Sequence, residues 1–509
     1  MSYLASSSLQ STEGISQGSM SESQPQRPHT ASASIHILDD DSLLNVLYLY
    51  CLFLLGKDDD REDYFVGGKR QWVGERWWYK LTHVCQRWRN LIFRSASYLS
   101  LSLLCTKGTP VADMLAHSPP LPLVINYTED VPGIAVEDEE GATLALKKRH
   151  RIRRVRLFMP FVTRQKLFAV IEGDYPVLED LIIWSWTRDD MTLVMFPETF
   201  HAPHLRHLAL VGFTLPIGSR LLTTAVRLVT LCLVISHPSV YFPPNTLLQW
   251  LSFMPQLETL NIKFLFLPNR DEERQLTHPP VMTPVTLPNL HDFSFQGHST
   301  YLDALVLRIT PCPEKLYICF PNQRTFPVPR LLRFMNTTWN LNFESTKFKF
   351  SRFRASMVVY PRGEAEKYAL SVIVSGGELD WLVSYMAQIS NLFSQIFSGV
   401  EHLALELEDE EDNWTSEEPL LEYNGLHRIE WRQLLSSFRN VKTLRIANVF
   451  VKGVSHCLGL DGGGLPLDLL PELQEFTYSG RGKSGYVPVL TSFIDARQKA
   501  GRPITLTRC

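Results

Sequence analysis

One short pattern of apolar and polar positions recurs along most of the chain. It reads "VLEDLII" from Val177, "HLRHLAL" from His204, "RLVTLCL" from Arg227, "QLETLNI" from Gln256 and "NLHDFSF" from Asn289. It returns as "VEHLALEL" from Val400, "VKTLRIA" from Val441 and "ELQEFTY" from Glu472. Each copy fits apolar-x-x-apolar-x-apolar, and the alternation at its end predicts a short strand. The second anchors fall at 181, 208, 231, 260 and 293, at intervals of 27, 23, 29 and 33 residues. Later anchors at 403, 444 and 476 lie 41 and 32 residues apart. One strand every 20–29 residues is the spacing of a leucine-rich solenoid. Its anchors point inward and stack on those of the next repeat. Each buried Leu contributes roughly 1.5–3 kcal/mol, and no repeat covers its apolar face alone. The amphipathic stretch "DWLVSYMAQISNLFSQIFSG" from Asp380 predicts an outer helix.

The regular repeat places Asn or Cys three residues after its last anchor. Here those positions hold Trp186, Phe213, Ser236, Leu265 and His298, so a buried asparagine ladder is missing. The expected solenoid is therefore irregular, and a mixed α/β domain is the plainer alternative. Side chains alternate across a strand, so the residues between and beside the anchors are predicted to face an open concave surface. They are Ile182 and Trp184, His207 and Ala209, Asn261 and Lys263, then Asp292, Ser294 and Gln296. This mixture suits a protein better than a phosphate backbone, which calls for rows of Lys and Arg. Trp184 is the expected anchor for a partner, because aromatic side chains dominate interface energies.

The first 150 residues follow another pattern. Residues 1–34 are rich in Ser, Gln and Pro and predict a disordered tail. The run "LLNVLYLYCLFLL", Leu43 to Leu55, is apolar almost all round. It is shorter than the ~20 residues of a membrane span, and it predicts a helix that must be covered on more than one side. Asp39 to Ser42 can cap its start. Gly56 and the charged "KDDDRED" end it. A second helix is predicted from Trp72 or Glu75, with apolar positions 77, 78, 81, 84, 85, 88 and 92 on one face.

Composition and motif content narrow the chemistry. The 509 residues are 45% hydrophobic and 20% charged with a net charge of −3, which gives no global pull toward nucleic acid or anionic lipid. The eight cysteines are scattered without a C-x-x-C pair and are read as reduced thiols. This places the protein in the cytoplasm or nucleus. In "HAPHLRH", His201, His204 and His207 run into a strand that sends neighbours to opposite faces, which disfavours a metal site. "SGRGKSG" from Ser479 has Thr477 where a P-loop needs its first Gly. "ELEDEEDNWTSEEP" from Glu406 lacks the Gly turn of a calcium loop. His83 and Cys85, two apart on a helix, cannot pair for catalysis. Arg76, Arg87, Arg89 and Arg94 read as the solvated side of a helix whose tryptophans, Trp77, Trp78 and Trp88, lie largely on its apolar face. No catalytic, cofactor or metal site is predicted, nor an enzyme, a nucleic-acid partner or a membrane partner.

The segment "ILDDDSLLNVLYLY" followed by "WYKLTHVCQRWRNLIFRSASYLSLSLLC" resembles an F-box, in the divergent form of mushroom-type (basidiomycete) fungal F-box proteins. The resemblance spans about residues 35–104, with a charged, Trp-containing insert at 56–74. "GTPVADMLAHSPPLPLVINY", Gly108 to Tyr127, is similar to the family segment that follows the box. Leu38, Leu43, Val46 and Leu47 match the first helix, and Leu81, Val84, Cys85, Trp88 and Arg89 the second. Asp39 stands where such boxes usually carry Pro. The resemblance implies a non-catalytic substrate adaptor of an SCF-type cullin-RING ubiquitin ligase. Leu38, Leu43, Val46, Leu47, Leu81, Val84 and Trp88 would bind the linker subunit and, through it, the cullin. The solenoid would bind an unknown protein substrate through Ile182, Trp184, His207, Asn261, Lys263, Asp292 and Gln296. A leucine-rich scaffold unconnected to ubiquitin is the second reading. The expected organisation is α/β: a tail at 1–34, a helical F-box at 35–104, a connecting segment at 105–150 and an irregular leucine-rich solenoid at 151–509.

Overall fold

The computed structural model describes residues 37–54, 81–94, 100–106, 108–118, 120–127, 138–160, 166–186, 195–216, 218–237, 241–266, 284–338, 343–364, 367–376, 379–408, 428–458, 469–479 and 487–508. The tail expected at 1–34 and the insert at 56–74 lie outside these residues, as do most of the acidic stretch and of "SGRGKSG". The chain divides into two compact units, Met1–Lys57 and Asp58–Cys509.

The first unit carries helix α1, Asp40–Leu54. Asp39 caps it: the Oδ1 accepts the Ser42 N–H at 2.7 Å, and Asp40 and Asp41 add negative charge at the positive end of the helix. Leu43, Leu44 and Leu47 are buried, while Asn45, Val46 and Leu49 are exposed.

The second unit opens with helical residues 81–82 and then helix α2, Gln86–Arg94. The spacing predicts one helix through this region, whereas the structure breaks it at His83–Cys85. The break is closed locally. The Trp88 N–H donates to Cys85 Sγ at 3.5 Å, in the manner of an N-cap, and Arg89 Nε donates to the Thr82 carbonyl at 3.0 Å. Trp88, Leu91 and Ile92 form the buried stripe of α2.

Everything after α2 is organised by a 16-stranded sheet among the described residues. Its strands are β1 Leu101–Leu104, β2 Leu123–Tyr127, β3 Ile152–Pro160, β4 Asp180–Trp186, β5 His207–Val211, β6 Thr230–Ile235, β7 Thr259–Phe264 and β8 Asp292–Gln296. They continue as β9 Lys315–Pro321, β10 Phe343–Phe350, β11 Arg354–Pro361, β12 Leu370–Ser375, β13 His402–Leu407, β14 Thr443–Ala447, β15 Glu475–Ser479 and β16 Thr505–Arg508. From β1 to β9 each strand pairs parallel with the next in chain order. This is the topology of a solenoid: a mixed α/β fold in which one strand is added per repeat. The sheet starts at Leu101, before the boundary at 151 that the phrase spacing suggests, because β1 to β3 alternate apolar and polar residues without the full leucine phrase.

The order is interrupted once. β12 pairs parallel with β9, β11 lies antiparallel between β12 and β10, and β10 pairs parallel with β13. The chain thus skips two strand positions, folds back as a meander to fill them and resumes. This insertion accounts for the wide interval between the anchors at 293 and 403. Leu316, which pairs with Phe293, is a repeat anchor in that interval.

The anchors stand in register. Leu181, Leu208, Leu231, Leu260, Phe293 and Leu316 form one cross-strand row, and Ile183, Leu210, Leu233, Ile262, Phe295 and Ile318 the next. All are buried. The helices lie on this side. Tyr301 of α7, Ser299–Val306, stacks on Phe295 at 5.8 Å, while Trp431 and Phe450 pack on Phe350 at 5.9 and 5.2 Å.

The missing asparagine ladder is replaced by backbone and by scattered side chains. The Glu179 carbonyl accepts the N–H groups of Arg206 and His207 at 2.8 and 3.0 Å, and the Arg206 carbonyl those of Val229 and Thr230 at 2.7 and 3.0 Å. The Val229 and Glu258 carbonyls repeat the pattern with the next two strands. Gln323, buried, accepts from the Ser299 N–H at 2.9 Å and donates to the Gly297 carbonyl at 2.8 Å. Asp303 accepts the Arg330 and Leu331 N–H groups at 2.7 and 3.0 Å, which caps helix α8, Pro329–Thr338. Each bond ties one repeat to its successor and satisfies backbone groups that burial would otherwise leave costly.

Candidate interaction surface

The sheet has a second face, opposite the helices, and register decides what stands on it. One row runs Ile182, Ala209, Cys232, Asn261, Ser294 and Tyr317. The next runs Trp184, Val211, Val234, Lys263, Gln296 and Cys319. A third, at the strand starts, runs Asp180, His207, Thr230, Thr259, Asp292 and Lys315. The residues predicted for substrate binding, Ile182, Trp184, His207, Asn261, Lys263, Asp292 and Gln296, therefore share one face.

Their character differs from the polar mixture read in the sequence. Val211, Cys232 and Val234 form a separate buried apolar cluster, with Trp184 and Ala209 packed against it. The Phe158 ring lies 5.4 Å from that of Trp184 and extends the cluster to β3. Trp184 is half-buried within this patch. Ile182 and Asn261 are buried at 8% exposure each, so they form floor more than rim. The "RLVTLCL" repeat supplies Cys232 and Val234. Its inter-anchor residues are apolar on both faces, and that is the signal the list of polar candidates passes over.

Charge brackets the apolar patch. Arg156 Nη2 stands 3.7 Å from Asp180 Oδ2 on β3 and β4. Beyond the patch, Lys263 on β7 is followed across the sheet by cations on β10, β11 and β14. His207 is engaged sideways, with Nδ1 3.2 Å from Thr230 Oγ1. The "HAPHLRH" imidazoles do not converge: His201 meets Asp174 at 3.0 Å and His204 meets Arg227 at 3.0 Å. No group of three His, Cys, Asp or Glu side chains among the described residues is placed to hold a metal.

The thiols are insulated. Burial pushes Cys105, Cys232 and Cys312 up to about 12, with Asp138 adding to the shift at Cys105 and Lys263 opposing it at Cys232. A thiol so far from its thiolate is a poor nucleophile at neutral pH. Iodoacetamide at pH 8 is expected to leave these three unmodified in the native protein and to label all three in denaturant. Peptide mass spectrometry after each treatment checks this, and native labelling at Cys232 would show that the sheet face is not packed as described.

The F-box positions fall in the two units. Leu43 and Leu47 are buried, Leu38 is half-buried and Val46 is exposed in the first; Leu81 is half-buried, Val84 is exposed and Trp88 is buried in the second. Among the described residues no helix is long and apolar enough to cross a membrane.

No family model matches the chain, and no curated protein matches it. Among solved structures it is similar to LegL7, a leucine-rich repeat-containing protein of Legionella pneumophila. That match has 11% identity and a TM-score of 0.25, and covers 79% of this chain and 98% of that one. So low a score bears no weight, and the fold rests on the parallel ladder itself.

Proposed function

We propose that the protein is a non-catalytic recognition subunit that holds a protein partner on the second face of its sheet. The observation that carries this reading is half-buried Trp184, which with Ala209 stands on a floor of buried Val211, Cys232 and Val234 on the face away from the helices. A partly exposed aromatic on an apolar floor with charge at its flanks is the composition of a docking anchor. The F-box resemblance supports the finer reading: a substrate adaptor of an SCF-type ubiquitin ligase, with the box on the linker subunit. Exposed Val46 and Val84, each on a box element, are apolar side chains a linker could cover.

Two single substitutions test the two halves of this reading separately. Val46→Asp changes an exposed position, so it should remove the fungal linker subunit from a pull-down while circular dichroism stays unchanged. Leu47→Asp would bury a charge at 1% exposure and confound binding with unfolding. Trp184→Asp should leave the linker bound and empty the capture list of its specific proteins. Linker capture that survives Val46→Asp, and likewise Val84→Asp, would sink the box assignment. An unaltered capture list with Trp184→Asp would sink the sheet face as the docking surface.

A further inference from the structure

The apolar patch occupies the first half of the second face; the second half is different. On β10, Thr346, Phe348 and Phe350 are buried on the helix side, which turns Lys347 and Lys349 to the other. On β13, Leu403 and Leu405 are buried and Ala404 takes the second face; on β14, Leu444 and Ile446 are buried and Arg445 is exposed. Register sets Lys347 beside Ala404 and Ala404 beside Arg445. Two cations therefore flank a methyl-sized floor, with backbones separated by two strand spacings, about 9.5 Å. Lys349 stands one pleat further along the same strand, next to Glu406.

None of these three cations forms an ion pair with a described carboxylate. The Lys347 ammonium lies over the Tyr360 ring at 5.1 Å, a contact with an aromatic face that leaves its charge unneutralised. The polar neighbours on the floor are engaged with each other, His402 Nδ1 lying 2.7 Å from Thr443 Oγ1.

We propose that this site, Lys347 and Arg445 across Ala404 with Lys349 beside them, binds a carboxylate-bearing side chain of an extended acidic protein segment. The inference rests on the docking role of the second face and names the chemistry of what docks. A gap of this width with a small floor admits one carboxylate between two donors, and Arg445 brings a planar fork suited to it. Acidic neighbours bound the site: Glu406 on β13 and Glu475, which pairs with Thr443, on β15. A continuous phosphate backbone would be repelled there, while a peptide can place its acid in the gap and neutral residues over the flanks. At 3.3–3.4 Å per residue, such a segment would run toward the Trp184 patch and cross the same face.

The test uses the full chain and a fluorescein-labelled dodecapeptide with one central Glu among neutral residues. Anisotropy is read at low ionic strength against a Lys-substituted peptide and a single-stranded DNA oligonucleotide of similar length. The Glu peptide should bind saturably and the Lys peptide should not. Lys347→Gln with Arg445→Gln should weaken the Glu peptide at least tenfold, and the double Glu variant should abolish binding. Arg154→Glu, on β3 of the same sheet, should change it less than twofold. Thermal midpoints of the variants should match the parent, since both substituted side chains reach away from the core. Absence of saturable binding, or equal binding by the double Gln variant, overturns the site. Tighter binding of the oligonucleotide, lost in the same variant, overturns the ligand class. None of these outcomes touches linker capture through Val46 or partner capture through Trp184.

Discussion

Trp431→Ala is expected to destabilise the C-terminal repeats by about 3–5 kcal/mol. Trp431 lies on α10, Arg428–Ser436, and is fully buried. Its ring sits 5.9 Å from Phe350 of β10 and 5.7 Å from Phe450 of α11, Asn448–Leu458. It thereby joins the meander insertion to the resumed repeats. Removing the indole leaves a cavity between three elements that rigid strands cannot close. Trp431→Phe should cost much less, under about 1.5 kcal/mol. The indole Nε1–H has no hydrogen-bond partner among the described residues, so its loss removes an unsatisfied donor along with some volume. The pair of variants separates packing from hydrogen bonding. Urea unfolding with hydrogen exchange over 343–350 and 443–447 reads both. Equal costs for Ala and Phe would mean that the indole N–H, and not the ring volume, is what the site requires.

The second large effect is expected at Arg497, the only charged group among the largest fully buried side chains of the described residues. It stands on α12, Val487–Lys499, and its guanidinium lies 5.7 Å from the Phe493 ring. Nη1 donates to the Leu470 carbonyl at 3.1 Å, and Nη2 to the carbonyls of Pro471 and Leu473 at 2.9 and 3.1 Å. Leu470 has φ +47°, a conformation that costs a branched side chain energy unless its surroundings hold it. The arginine therefore fixes the turn that leads into β15. Arg497→Met keeps the stem but leaves the Leu473 carbonyl without its donor, at about 1–3 kcal/mol. It also strips the Leu470 and Pro471 carbonyls of their guanidinium bonds, while the Leu473 N–H and Arg502 Nη1 still reach them. Repeats contact only their neighbours, so the damage should stay local. Amide protection should fall at 475–479 and 505–508 and hold at 181–186 and 207–211. A uniform loss of protection would show that the sheet unfolds as one cooperative body, and unchanged protection at 475–479 would remove Arg497 from the account of this turn.

The sequence by itself determined the unit of construction. Alternation within each phrase marked β4 to β8 and β13 to β15, and the anchor spacing put one strand in each repeat, because a buried face demands apolar residues at fixed period. It also marked the helix start at Asp39 and the shared face of Ile182, Trp184, Asn261 and Lys263, since side-chain alternation follows directly from the extended backbone. The strands at 101–104, 123–127 and 152–160 carry a period-two pattern too short and irregular to declare its partner, and the anchor at Leu316 sits inside an interval that looked like one long gap.

Only the tertiary structure decided the rest. The placement of β11 and β12 between β9 and β10, with β11 antiparallel to both its neighbours, rests on pairing between strands distant in the chain. Local spacing holds no record of that. The break at His83–Cys85 depends on a thiol and a guanidinium closing backbone groups from several residues away. The apolar patch around Trp184 and the cation pair across Ala404 arise from residues on strands up to 98 positions apart, Lys347 to Arg445, brought into one row by register. Each residue was legible where it stood; which ones became neighbours was set by the order and register of the strands in the sheet.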